Sequence, residues 1–151
     1  MTATQQPNPF GNAPPVGGPS GPRAGFWQRF GAMVVDGLVM IVVYVPLAVA
    51  FGSSAGSDLA LVFSIAYFTL LEGGATGQTL GKKALGIRVI DLARGGPIGH
   101  GRGFIRWAGR IVSALVIYLG YLWMLWDREK QTWHDKMAGA VVVPTSVYPV
   151  G

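Results

Sequence analysis

Residues 33–51 read MVVDGLVMIVVYVPLAVAF and residues 59–71 read LALVFSIAYFTLL, separated chiefly by the uncharged turn at 52–57. An apolar helix of about 20 residues spans the hydrocarbon core of a bilayer. Lys and Arg collect on the outer flanks of this pair and are missing from the turn. Basic residues mark the cytoplasmic side of a membrane protein, so the pair reads as a transmembrane hairpin whose turn faces out and whose N-terminus is cytoplasmic. The second run is short alone. Extended from Ala55 to Glu72 it offers about 18 helical positions, roughly 27 Å, enough for a thin or adapted bilayer, with Asp58 and Glu72 at its ends near water.

Composition agrees. Half of the 151 residues are hydrophobic and 13% are charged, against about 25% charged in ordinary soluble domains. The formal net charge of +5 does not indicate nucleic acid, because the basic residues are spread along membrane flanks and form no single stripe. The chain has no cysteine, which excludes disulfides, thiolate nucleophiles and Cys-type metal sites. The first apolar run lacks the basic start and early position of a cleavable signal peptide.

Residues 1–24 hold Pro7, Pro9, Pro14, Pro15, Pro19 and Pro22 among glycines. Such a segment buries no core and is expected to be a disordered cytoplasmic tail. Residues 25–143 are expected to form the membrane domain and 144–151 a C-terminal tail. The aromatic and basic residues from Phe26 to Phe30 suit the headgroup zone, and Pro46 is a candidate kink. Residues 73–103 form a glycine-rich connection, cytoplasmic by its charge. Within it 80–85 suits a short interfacial helix, whose Lys82 and Lys83 would reach anionic lipid, and 86–91 alternates as a strand does.

A third apolar stretch covers 104–126. Arg106 and Arg110 lie one helical turn apart on one face, candidates for headgroup contact. A full third crossing would put the C-terminus outside, yet two facts oppose it. Arg128, Lys130 and Lys136 form a second basic cluster. The strand candidates 87–90 and 141–143 each leave backbone groups unpaired unless they pair together, on one side. The stretch is therefore expected to bend near Gly120 without crossing fully. The fold class is all-α membrane protein: a two-helix transmembrane hairpin, a third membrane-embedded helix or hairpin, and a small cytoplasmic two-strand element.

Few residues offer chemistry. Asp36 lies early in the first span, where an ionisable group is by default a functional candidate, and equally a structural ion pair. Arg29 is seven positions earlier, about 10 Å away along the helix, too far for direct contact; a third group such as Arg106, Arg110 or Asp135 could bridge them. The segment Gly77-Gln78-Thr79-Leu80-Gly81-Lys82-Lys83 fails the phosphate-loop pattern, since Thr76 stands where the first glycine belongs and Lys83 where Ser or Thr belongs. His134 has only His100 as a second histidine, so no metal and no cofactor is expected. Trp123, Trp126 and Trp133, with Tyr118 and Tyr121, suit interfacial anchors. No Ser-His-Asp arrangement stands out, so no enzyme is expected.

These residues carry a family resemblance. Arg29-Phe-Gly-Ala-Met-Val-Val-Asp36, then residues 77–91 (GQTLGKKALGIRVID), then His134-Asp135-Lys136 followed by MAGAVVV, are similar, in order, to the motifs of the RDD family, named for an arginine and two aspartates. The resemblance covers roughly residues 24–143. It implies an integral protein of the cell membrane, with Arg29, Asp36 and Asp135 as its named residues and a suspected transport role, sodium/proton exchange among some members. Two functions follow for this chain. One is a non-enzymatic accessory or assembly element in contact with the lipid bilayer and with another membrane protein or a second copy of itself. The other is an oligomeric transporter of cations, protons or small solutes using Asp36, Asp135 and Arg29, since a pathway needs several helices around a polar cavity.

Overall fold

The computed structural model describes residues 22–116 and 119–150; the expected disordered tail falls largely on residues outside this range. Helix α1 runs Phe26–Phe51 and helix α2 Ser53–Gly73, with only Gly52 between them. At about 1.5 Å per residue they measure roughly 39 and 31 Å, long enough to cross a bilayer. The second span is longer than its 13-residue apolar run because the small residues at 53–57 join it. Both helices are apolar around most of their circumference and little buried within the molecule, as lipid-facing helices are. Gly25 N–H donates to Gln28 Oε1 (3.1 Å) at the start of α1. Near the turn the two helices touch through Gly56, where an added Cβ would come within 2.6 Å of Ala48 Cα. Small residues at such a point permit close helix approach in lipid.

A short helix α3 (Leu80–Ala84) and strand β1 (Ile87–Asp91) follow, then helix α4 (His100–Leu115) and helix α5 (Leu119–Leu122), which continues as a 3-10 turn to Leu125. The axis turns by 112° between α4 and the α5 segment. The third element is therefore bent between the end of α4 at Leu115 and the start of α5 at Leu119, slightly earlier than the expected hinge at Gly120. Gly120 instead lies where Ser113 crowds it, an added Cβ meeting Ser113 Oγ at 2.5 Å. Helix α6 (Trp133–Ala138) and strand β2 (Ala140–Pro144) complete the fold.

β1 and β2 pair antiparallel with Ile87 opposite Pro144, Val89 opposite Val142 and Asp91 opposite Ala140. Both strands are buried nearly throughout, because both faces of this ribbon are covered. On one face Val89, Ala140 and Val142 pack with Ala24, Ala32, Ile98 and Ala138. On the other, Ile90, Val141 and Val143 pack with Tyr148. Residues after Pro144 thus fold back as the second cover, and Thr145 N–H bonds Gly86 O at 2.9 Å. The backbone N–H of Ala24, just before α1, donates to Val142 O at 2.9 Å. The start of α1, the end of α2, the ribbon and α6 therefore lie together at one end of the hairpin.

Candidate functional site

Four short polar stretches converge where the hairpin meets the ribbon, and Asp36 illustrates why each folds as it does. It sits 3% exposed on α1, and a buried carboxylate requires donors. Tyr67 of α2 donates its hydroxyl to Oδ1 (2.8 Å), Thr79 donates its hydroxyl to Oδ2 (2.7 Å), and the backbone N–H of Gly81 donates to Oδ1 (2.8 Å). Thr79 also caps α3, accepting from Lys82 N. Asp36 thus ties α1 to α2 and to the first turn of α3. Gly81 is required by the closeness: a Cβ there would collide with Ala32 O and the Asp36 carboxyl carbon. The segment that failed the phosphate-loop pattern is accordingly a docking turn for α1.

Arg29 does not reach Asp36. Its guanidinium pairs with Asp135 and donates to Lys130 O at 2.8 Å. Asp135, fully buried, lies in the first turn of α6 and takes the Thr132 backbone N–H at 3.1 Å, a capping arrangement that fixes its rotamer. Its other oxygen pairs with Arg106 of α4. Arg106 continues the chain of charges to Glu72, its Nε 2.9 Å from Oε2. Glu72 also takes Lys82 Nζ at 2.6 Å and pairs with Arg110. One connected network, Arg29–Asp135–Arg106–Glu72 with Lys82 and Arg110, therefore binds α1, α6, α4, α2 and α3 together.

The structure places the sequence candidates unevenly. Arg29 and Asp135 meet, and Arg106 bridges onward; Asp36 is held separately by neutral donors. Lys82, Arg106 and Arg110 turn inward to Glu72 instead of spreading at the surface, because a buried carboxylate at the end of α2 draws all three. Lys83 alone of that group is exposed. Glu72, expected near water, is fully buried and is the hub. The signal for it was present: two arginines one helical turn apart on an apolar helix call for a shared carboxylate. Among the described residues no group of three or more His, Asp or Glu side chains is placed to hold a metal.

Among the groups outside the spans that titrate away from their ordinary values, two belong to this site. Burial pushes Lys82 down to about 8, with Glu72 opposing and Arg110 and Arg106 assisting. Burial, then the nearby Arg106, Arg110 and Arg29 cations, hold His134 well below its ordinary range, so its ring is neutral at pH 7. His134 Nε2 lies 3.0 Å from Thr132 Oγ1.

Beside the network lies a cavity of about 610 Å³, bordered by Arg29, Asp36, Lys82, Arg106, Arg110 and His134 and by apolar residues of α1, α2 and the α5 region. This arrangement can hold charges rigidly against one another.

Comparison with known proteins agrees with the membrane architecture. The chain is 39% identical over 71 residues to the "Proline-rich antigen" of Mycobacterium leprae (47% of this chain, 28% of that protein) and 33% identical over 91 residues to the "Proline-rich antigen homolog" of Mycobacterium tuberculosis (60% and 36%). It thus spans about a third of the length of these relatives. It is 30% identical over 139 residues to the membrane protein YteJ of Bacillus subtilis, covering 83% of each. No solved structure matches it significantly. The RDD family model matches residues 23–139, a span that holds Arg29, Asp36 and Asp135 together with the hairpin and the helices that bind it, and the chain belongs to the RDD family, a family of multi-pass membrane proteins.

Proposed function

We propose that this protein is a non-enzymatic accessory or assembly element of the membrane, with its N-terminus and ribbon in the cytoplasm and residues 25–143 as the working unit. The observation that carries this reading is the state of its carboxylates. Asp36, Glu72 and Asp135 each hold two or more fixed donors from other elements. A carboxylate that handles cations needs a coordination position that opens and closes, and these are committed to pairing. Fixed charges suit a rigid scaffold offered to a membrane partner or to a second copy. The basic residues on the ribbon side, with Lys83 exposed among them, support the cytoplasmic placement.

A transporter of cations, protons or small solutes, working as an oligomer, is the second reading. It is favoured by the cavity that reaches Asp36 and Arg29. Proteoliposomes carrying the purified protein and a pH-sensitive dye separate the two. The accessory reading expects proton movement under sodium and potassium gradients equal to that of empty vesicles. Flux above that background, lost in Asp36→Asn while the protein stays folded, would overturn it in favour of transport.

A further inference from the structure

The charge balance of the buried network is uneven. Arg29, Lys82, Arg106 and Arg110 face Asp36, Glu72 and Asp135, four cations against three carboxylates. His134 adds no charge at neutral pH. A positive surplus removed from water is costly and calls for a counter-anion. All four cations border the cavity, whereas of the three carboxylates only Asp36 does. Two polar atoms there are buried without a hydrogen-bond partner, Arg110 Nη1 and His134 Nδ1, and His134 is only 2% exposed; the Arg110 guanidinium also lies over the Phe68 ring, 4.2 Å from its centroid. Buried polar atoms are rarely left unpaired, so these two point to a ligand.

The rest of the wall says what kind. Phe30 and Met33 border the cavity and are 43% and 42% exposed. They belong to the lipid-facing side of α1, so the cavity opens towards the bilayer and not only towards water. Met40 and Leu122 extend the apolar lining. A free inorganic ion would leave that lining empty, whereas an acyl chain would fill it. A phosphodiester carries one negative charge, matching the surplus of one, and presents acceptor oxygens to guanidinium groups. Basic pockets between membrane helices are established places for lipid headgroups.

We propose that this cavity binds one anionic phospholipid, its phosphodiester set against Arg110 and the neighbouring cations and one acyl chain along α1 between Met33 and Met40. The site is independent of whether the protein transports or assembles. It also gives the inward-turned arginines a ligand that surface-spread ones would not retain.

The test uses the full chain, purified in a non-ionic detergent and stripped of lipid. Dioleoyl phosphatidylglycerol, dioleoyl phosphatidylcholine and inorganic phosphate are added in separate arms, with native mass spectrometry and the thermal unfolding midpoint as readouts. The proposal expects one retained phosphatidylglycerol and a raised midpoint, with neither effect from phosphatidylcholine or inorganic phosphate. Arg110→Gln should weaken retention about tenfold, the equivalent of one charge-assisted bond. Because that variant also disturbs Glu72, Gly37→Leu is the cleaner probe. Gly37 borders the cavity, and a Cβ there meets nothing within 4 Å, so a leucine has room to enter the cavity, removes no charged group and suits the helix better than glycine. It should fold normally and lose the lipid effect. Equal retention of phosphatidylcholine, a response to inorganic phosphate alone, or full retention by Gly37→Leu would each overturn the proposal.

Discussion

The two ends of the hairpin are held by different physics. At the turn end, α1 and α2 meet through small residues such as Ala48 and Gly56, and Val49 is 83% exposed. Hydrocarbon there is as apolar as the side chains, so burial within the protein contributes little and the bilayer itself supplies the environment. At the ribbon end, Glu72 and Asp135 are fully buried and five helices are joined through their charges. In low dielectric each pair is strong, and each partner left behind is expensive. The lesson is that the turn end tolerates change as long as it stays apolar, whereas the ribbon end depends on completeness.

The sharpest break of that contrast is Glu72→Gln. It leaves Lys82, Arg106 and Arg110 without their common counter-charge and should destabilise by about 3–5 kcal/mol, read by unfolding in mild detergent. A loss no larger than that of a lipid-facing substitution would erase the distinction between the ends. Asp36→Asn should cost about 1–3 kcal/mol, since the amide retains one acceptor oxygen but brings an N–H against donors already in place. The same variant should loosen α3, seen as faster amide exchange at Gly81 and Lys82.

A smaller effect concerns pH. His134 titrates well below its ordinary value of 6.5 in the folded protein, facing Arg29, Arg106 and Arg110, with Asp135 beside it and the Tyr121 ring against it. Below pH 6.5 the unfolded chain therefore binds a proton that the folded chain refuses. The His134 contribution is constant above that pH and falls as pH drops beneath it, by at most about 1.4 kcal/mol per unit. His134→Gln should flatten that part of the stability profile between pH 5 and 6.5; an unchanged slope would remove His134 from the account. At the other end, Val49→Ala should change stability by no more than about 0.5 kcal/mol.

Much of this architecture was legible in the sequence, for identifiable reasons. The spans follow from unbroken apolar runs, and the ribbon from two short alternating segments that had to share a side. The bend in the third element followed from the same pairing. The meeting of Arg29 with Asp135 was legible only as one of several bridges, because nothing local connects residues 106 positions apart. Glu72 was read as an end residue near water because its neighbours in sequence give no sign of burial. Its partners arrive from α3 and α4, and only the three-dimensional crossing of α2 with α4 brings them. The folding back of Tyr148 escaped the same way, through a tertiary contact that composition does not announce.

The central claim is that the ribbon, α3 and the segment after the bend share one face of the membrane, opposite the hairpin turn. The chain has no cysteine, so single-cysteine variants at the exposed positions Ser57, Lys83 and Arg128 report their own side through a membrane-impermeant maleimide applied to sealed cells and to inverted vesicles. The account predicts that Lys83→Cys and Arg128→Cys label together in one preparation and Ser57→Cys in the other. Labelling of Arg128→Cys alongside Ser57→Cys would mean a third full crossing and would contradict it.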